Sequence, residues 1–145
     1  MIQILPMAQE HISALAELER QCFADPWSEQ ALAEELSNPN AVFRVALIDG
    51  EVAGYVGMLH VLDEGDICNV AVFDRFRRKG VATALIDHLL NYGRENALAF
   101  ITLEVRESNN GARAFYGTMG FENIGLRKNF YDNPREHAVL MTKTF

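Results

Sequence analysis

The stretch FRRKGVATALIDHLL, residues 76–90, joins a strongly basic turn to an amphipathic helix. Its apolar residues recur at helical spacing in two rows: Val81, Leu85 and Leu89, and Ala82, Ile86 and Leu90. A helix N-terminus carries a partial positive charge and favours acidic side chains. Here four cations stand there instead: Arg75, Arg77, Arg78 and Lys79. The sequence therefore predicts that a negatively charged ligand neutralises this helix start.

The glycine and the free amides of this turn favour a phosphate-like ligand. Gly80 has no Cβ, so the backbone can approach a ligand closely, and Ala82 is nearly as small. The amides of a first helical turn have no intrahelical partners and form a ready anion site. The spacing Arg77-x-x-Gly80-x-Ala82 is neither the dinucleotide-binding nor the P-loop motif. Taken alone, it fits a phosphate or pyrophosphate site and a solvated basic turn equally well.

Length and charge limit the classes of protein to which the chain can belong. Its 145 residues suggest one domain covering 1–145. The net charge of −7 disfavours general nucleic-acid binding. There is no signal-peptide pattern and no run of about 18 apolar residues, so no membrane partner is expected. Cys22 and Cys68 form no C-x-x-C pair, and the histidines lack metal-ligand spacing. We expect a cytoplasmic protein without a metal site.

The predicted elements follow the order β, α, α, β, β, β, α, β, α, β, β, which is not the regular alternation of a doubly wound fold. The predicted helices are 7–23, 29–36, 79–95 and 110–119, and the predicted strands are 2–5, 41–48, 52–62, 66–73, 98–105, 121–130 and 136–143. Ser28 and Asn109 are expected N-caps, and Gly120 an expected helix terminator. The apolar run 98–105 is typical of a strand buried on both faces. A hairpin-rich first half followed by a β-α-β crossover predicts a mixed α/β sheet with helices packed on it.

Several segments resemble the GNAT superfamily of N-acetyltransferases. The strand CNVAV (68–72), the basic turn and its helix resemble the acetyl-CoA-binding motif of that family. Four segments resemble the RimI type, the bacterial ribosomal-protein alanine N-acetyltransferases: DPWSEQ (25–30), LDEGDICNVAV (62–72), LEVRESNNGARAFYGTMGF (103–121) and RKNFYDNPREHAVLM (127–141). The resemblance covers nearly the whole chain. It implies a mostly antiparallel mixed sheet with a central crossover and helices on both faces.

Two departures from the family pattern bear on this resemblance. VFDRF (72–76) stands where such proteins usually have a valine-aspartate-proline turn. The loop Asp132–Arg135 carries its own proline, Pro134. Because the resemblance places that loop near the acceptor, Pro134 can alter the choice of acceptor.

The resemblance implies acetyl-CoA as cosubstrate. The pantetheine arm would pair with backbone groups along a strand, in the manner of an added strand, and the pyrophosphate would bind at the basic turn. The residues implied are Val70, Ala71 and Val72 for the arm, and Arg77, Arg78, Lys79, Gly80, Val81, Ala82 and Thr83 for the pyrophosphate. Asn109 is implied as a further CoA contact, although N-capping explains that residue equally well.

Glu104 and Tyr116 are the candidate catalytic groups. Glu104 ends an apolar strand, where apolar neighbours should raise its pKa and suit it to proton abstraction, directly or through a water. Without the resemblance, the residues favour the alternative that Glu104 is simply a charge where the strand meets solvent. Tyr116 completes the family pattern N-x-x-A-x-x-x-Y with Asn109 and Ala112, and a phenol can protonate a thiolate. The alternative is a core aromatic beside Phe115.

Three other side chains complete the set of candidates. Trp27 and Tyr131 are candidate walls of the acceptor site, although Trp27 also suits a role in anchoring its loop. Cys68 lies in an apolar strand without a histidine partner at readable spacing. We therefore expect Cys68 to be buried and inert rather than a nucleophile.

The predicted function is transfer of acetyl from acetyl-CoA to a protein N-terminal α-amine by direct attack. The resemblance points to the N-terminal alanine of a small-subunit ribosomal protein. An α-amine has a pKa of about 7.7–8.0 and a lysine about 10.4, so a modest base suffices for the former. Two alternatives remain: an enzyme of the same fold that acetylates a small-molecule amine or a lysine, and a non-catalytic acyl-CoA-binding or partner-binding module. The sequence leaves the oligomeric state open.

Overall fold

The computed structural model describes residues 1–145 and contains one seven-stranded sheet in the order β1-β2-β3-β4-β5-β7-β6. The strands are β1 Ile2–Pro6, β2 Ala41–Ile48, β3 Glu51–Val61, β4 Glu64–Val72, β5 Phe100–Arg106, β6 Glu122–Tyr131 and β7 Glu136–Thr144. Every neighbouring pair is antiparallel except β4 and β5, which are parallel. The predicted mixed, mostly antiparallel α/β sheet is therefore confirmed.

Four α-helices pack on this sheet. They are α1 Ile12–Cys22, α2 Glu29–Glu34, α3 Val81–Glu95 and α4 Asn110–Thr118. None of them combines the length and the apolar composition needed to cross a bilayer. The helix predicted over 7–23 is wrong at its start, since Met7 still donates its backbone N–H to Phe43 beside the sheet. A short 3₁₀ turn at 9–11 then leads into α1.

The helix ends follow the local chemistry that the sequence indicates. Ser28 and Asn109 each accept a hydrogen bond from the backbone amide three residues on, as N-caps do. Gly120 has φ +95°, the left-handed conformation that ends α4. Helix α3 begins at Val81, two residues after its predicted start, because Gly80 is its N-cap with φ +78°.

The two faces of the sheet carry separate cores. Helix α3 and Tyr116 of α4 pack on one face, in a core that includes Met58, Leu85, Leu89 and Ile101. Helix α1 and Leu32 of α2 pack on the opposite face, in a core that includes Leu15, Leu18, Phe43 and Tyr55. Each sheet face and each helix has an apolar side that must be buried. The predicted helices on both faces are confirmed.

The parallel pair β4–β5 is joined over only part of its length. Pairing covers Glu64–Ile67 against Phe100–Leu103 and stops there. At the same place β4 contains a β-bulge: Met58 pairs with Ile67 and Gly57 with Asn69, which leaves Cys68 as the extra residue. A bulge bends its strand and increases the local twist. Beyond Cys68 the two strands no longer pair, and a groove opens between them.

The prediction that 98–105 is buried on both faces is wrong. In β5 the burial alternates: Ile101, Leu103 and Val105 are buried in the α3-side core, whereas Thr102, Glu104 and Arg106 are half-buried. The reason is the placement of α1, which packs against β3 and β4. The α1-side face of β5 is therefore less covered than the α1-side faces of β3 and β4. Glu104 lies on this less covered face.

Candidate active site

The separation of β4 and β5 creates a groove of about 650 Å³. The end of α1 and its following loop, the β4 bulge, the end of β5, helix α4 and the β6–β7 loop all border it. Six of the predicted site residues line it: Trp27, Val70, Glu104, Asn109, Tyr116 and Tyr131. The fold therefore brings the candidate catalytic groups and the candidate acceptor walls to one place.

A second cavity of about 200 Å³ lies at the N-terminus of α3. Seven predicted site residues line it: Val72, Arg77, Arg78, Gly80, Val81, Ala82 and Thr83. Phe76 and Phe115 also line it, although the sequence analysis did not single them out for this site. Strand β4 connects the two spaces, since Val70 lines the groove and Val72 the cavity, while Ala71 between them is buried in the α1-side core.

Not all four cations of the basic turn face this cavity. Arg77 and Arg78 line it, whereas Lys79 is exposed and lines neither space. Arg75 turns away and forms an ion pair with Glu51 at 3.1 Å. Sequence spacing placed these cations together, but the 3₁₀ turn at 74–76 sends Arg75 to the other side.

The start of α3 leaves open space over its backbone. Gly80 is left-handed, and a Cβ at Gly80 would meet no atom within 4 Å. The first helical hydrogen bond runs from the Ala84 amide to the Gly80 carbonyl at 3.0 Å. The amides of 81–83 precede that bond and have no intrahelical acceptor. With two guanidinium groups beside them, these amides suit an anion.

Glu104 is a shielded carboxylate. Its side chain is 17% exposed, and its Oε1 lies 3.2 Å from the Nε of Arg127 on β6. Burial raises the pKa of Glu104, the nearby Asp66 raises it further, and Arg127 lowers it. The raised pKa makes this carboxylate a better proton acceptor near neutrality than an exposed one.

Tyr116 is both a core ring and a groove-lining phenol. The residue is 8% exposed, and its ring lies 5.2 Å from Phe115 and 5.7 Å from Phe121, measured between centroids. Burial raises the pKa of Tyr116 to about 12, with a smaller contribution from Tyr131. The phenol is therefore protonated at neutral pH and can donate a hydrogen bond.

The prediction that Cys68 is buried is wrong. Cys68 is exposed and lines the groove, because it is the extra residue of the β4 bulge. Its thiol is still not activated, since the surrounding protein raises its pKa to about 12, with Asp66 adding to the shift. No group of three or more His, Cys, Asp and Glu side chains is placed to hold a metal ion.

Glu19 on α1 organises one wall of the groove, and the sequence analysis missed it. It is 1% exposed, and its Oε1 accepts the backbone N–H of Trp27 at 2.9 Å. Its Oε2 accepts the hydroxyl of Tyr55 at 2.7 Å and the side-chain amide of Asn69 at 3.2 Å. One carboxylate thus ties α1 to the following loop and to the bulge. A sequence signal existed, because Glu19 falls among the apolar positions of α1, where a charge needs partners.

Two loops meet at the mouth of the groove. The Trp27 ring packs on Phe43 with centroids 5.9 Å apart, which anchors the loop after α1. The side-chain amide of Asn133 lies 3.3 Å from the Asp25 carboxylate, linking that loop to the β6–β7 loop. Tyr131 lines the groove close to this link. The segments that carry Trp27 and Tyr131, the two candidate walls of the acceptor site, are therefore linked to each other at the mouth of the groove.

A family model described as Acetyltransferase (GNAT) family matches residues 12–121. The chain belongs to the GNAT acetyltransferase family. It is an acetyl-CoA-dependent N-acetyltransferase, as the family match and the curated relatives below support.

Two curated relatives of this GNAT enzyme are named as alanine N-acetyltransferases. A putative ribosomal protein bS18-alanine N-acetyltransferase of Bacillus subtilis is 33% identical over 139 residues, covering 95% of this chain and 92% of that protein. The corresponding enzyme of Escherichia coli K12 is 33% identical over 132 residues, covering 90% and 88%. The resemblance to the RimI type is confirmed.

A solved structure agrees with this family assignment. The crystal structure of the ribosomal-protein-S18-alanine N-acetyltransferase from Escherichia coli matches with a TM-score of 0.91 at 30% identity. The match covers 99% of this GNAT chain and 94% of that one. The mixed sheet with one parallel crossover is thus the fold of a GNAT acetyltransferase.

Proposed function

We propose that this enzyme acetylates the N-terminal α-amine of a protein, with an N-terminal alanine of a ribosomal protein as the acceptor. The observation that carries the proposal is the groove between β4 and β5, which Glu104, Tyr116 and Trp27 line together. The relatives support the acceptor, since their names give the alanine of ribosomal protein bS18.

Acetyl-CoA is proposed to lie along β4. Beyond Ile67 the edge of β4 that faces β5 has no strand partner. Its backbone groups along Val70–Val72 are therefore available to the amides of the pantetheine arm. The pyrophosphate is assigned to the cavity at the start of α3, with Arg77 and Arg78 beside it. Asn109 lines the groove and remains a proposed CoA contact besides its role as N-cap.

The proposed chemistry is direct attack of the amine on the thioester. Glu104 accepts a proton from the amine, the amine nitrogen forms a bond to the acetyl carbon, and the carbon–sulfur bond breaks. Tyr116 donates its proton to the departing sulfur, and CoA leaves as the thiol. The phenolate of Tyr116 then takes a proton from solvent, and Glu104 releases one. Burial raises the pKa of Tyr116 to about 12, so the phenol holds its proton at neutral pH until a more basic group, such as the departing thiolate, takes it.

The proposed pyrophosphate site is tested by Gly80→Asp. Asp tolerates the left-handed conformation better than most residues, and its side chain would enter open space over the turn. Bulk and negative charge at the phosphate position should abolish acetyl-CoA binding. Calorimetry and the ligand-induced rise in melting temperature measure this loss.

Gly80→Asn is the matched control for charge, because Asn has nearly the same shape and the same backbone tolerance. It should retain more affinity than Gly80→Asp. A folded Gly80→Asp protein that binds acetyl-CoA as tightly as the wild type would show that the anion lies elsewhere.

The acceptor is tested with three amines at equal concentration. The first is a peptide that starts with alanine and contains one internal lysine, the second is the same peptide with a blocked N-terminus, and the third is a free polyamine. We expect acetylation of the first peptide at its α-amine only, located by fragmentation in mass spectrometry. Preferred acetylation of the blocked peptide or of the polyamine would favour the lysine or small-molecule alternative. Binding of acetyl-CoA without turnover on any acceptor would favour the non-catalytic module.

A further inference from the structure

Two charged side chains share the open sheet face with Glu104. Asp66 on β4 pairs in register with Thr102, two residues before Glu104 on the same face of β5. Arg127 on β6 reaches the same place across β7. Glu104 pairs with Leu140 of β7, and Arg127 pairs with Ala138, which is the next β7 residue on the same face as Leu140. A carboxylate and a guanidinium from two other strands thus flank the proposed base.

We propose that Arg127 and Asp66, which flank Glu104 with opposite charges, are positioning residues: Arg127 orients the Glu104 carboxylate through its contact with Oε1, and the two charges together govern how readily this carboxylate accepts a proton from the acceptor. The inference rests on the proposed function, because it takes Glu104 as the base. Neither residue needs to touch the substrate in this role.

The contact between Arg127 and Glu104 fixes the carboxylate. It joins Nε to Oε1 at 3.2 Å, so one oxygen is held while Oε2 has no ion-pair partner. A carboxylate held in this way can present its second oxygen to an amine or a water. Arg127 itself is 55% exposed, so its removal should cost little stability.

The charges around Glu104 oppose each other. Asp66 raises the pKa of Glu104 beyond the effect of burial, and Arg127 lowers it. The other titratable groups beside Glu104 are Cys68 on β4, Tyr131 on β6 and Arg106, which lies two residues further along the same face of β5 and is paired with Glu136 at 3.3 Å. Although Cys68 is exposed at the groove, the protein around its thiol desolvates it, and desolvation raises the pKa of Cys68 and of Tyr131 to about 12, so both are neutral in the working range. Because Arg106 is paired with Glu136, the charges that act on the pKa of Glu104 beside burial are those of Asp66 and Arg127.

The two residues predict shifts of opposite sign. Arg127→Gln removes a cation that favours the ionised carboxylate, so the pKa of Glu104 should rise and the acid limb of kcat/KM should move to higher pH. Asp66→Asn removes an anion that opposes ionisation, so the same limb should move to lower pH. The acceptor amine ionises in the same way in every assay. A difference between the pH profiles of two variants therefore reports the ionisation of a group on the enzyme.

The experiment combines pH–rate profiles with carboxyl ¹³C NMR of glutamate-labelled protein, in which the Glu104 signal is assigned by its loss in Glu104→Gln. Arg127→Lys keeps the charge and should stay closest to the wild type. In the double variant the two shifts should offset each other. Arg20→Gln removes an exposed arginine paired with Glu17 and should change neither readout.

The outcomes separate this inference from the proposed function. If Glu104→Gln is inactive but neither single variant moves the Glu104 titration, the inference is overturned and the base assignment stands. Shifts of the same sign in both variants also overturn it. If Glu104→Gln keeps full activity, the base assignment fails regardless of the titrations. Opposite shifts in both the NMR and the rate profiles support the inference.

Discussion

Glu104→Gln should lower kcat by about 10²–10⁴-fold, the usual contribution of general base catalysis, and leave the Kd for acetyl-CoA unchanged. Glutamine keeps the shape of the side chain but cannot accept a proton. The deficit should be largest below the pKa of the acceptor α-amine, about 7.7–8.0, where most of the amine is protonated. It should shrink as the pH rises, since a deprotonated amine needs less help.

The measurement is a set of single-turnover rates from pH 6 to 10, with acetyl-CoA affinity determined separately. Glu107→Gln is the matched control, because Glu107 is an exposed glutamate just beyond the end of β5. It should behave like the wild type. An equal loss at every pH would instead assign Glu104 to acceptor binding.

Tyr116→Phe should also lower kcat by about 10²–10⁴-fold while the protein folds and binds acetyl-CoA. Phenylalanine keeps the ring that packs between Phe115 and Phe121. Only the hydroxyl is lost, and with it the proposed proton for the departing sulfur.

Varying the leaving group makes this test decisive. An acetyl donor with a more acidic thiol, but with the recognition elements of CoA, needs less protonation as it departs. Tyr116→Phe should recover part of its deficit with such a donor. A packing role would show as a lower melting temperature and no dependence on the leaving group. Full activity with chemistry rate-limiting would remove Tyr116 from the mechanism.

Features that depend on nearby residues were predictable from the sequence. Ser28, Asn109 and Gly120 act within one helical turn, so their capping roles follow from residue type and spacing. The hairpin at Asp49–Gly50 and the amphipathic rows of α3 are local in the same sense. The family resemblance then supplied the fold and the enzyme class, which the comparisons confirm.

Features that depend on register between distant segments were not predictable. The extra residue at Cys68 decides which β4 side chains face the groove, and nothing in the sequence marks it as a bulge. Arg127 reaches Glu104 only through the pairing of β5, β7 and β6. Glu19 finds its three donors from a loop and two strands. The roles proposed for the site residues remain predictions.

Because β4 pairs with β5 over only a short stretch, the proposed binding mode of acetyl-CoA also extends the sheet. Four residues of each strand connect the half-sheet β1–β4 to the half-sheet β5–β7–β6. In the proposed binding mode, the amides of the pantetheine arm occupy the edge of β4 where the missing strand partner would be. Bound acetyl-CoA then takes the position of a strand between the two half-sheets, and this position is empty once CoA has left. Without bound CoA, the two half-sheets are joined along β4 and β5 only by those four residue pairs.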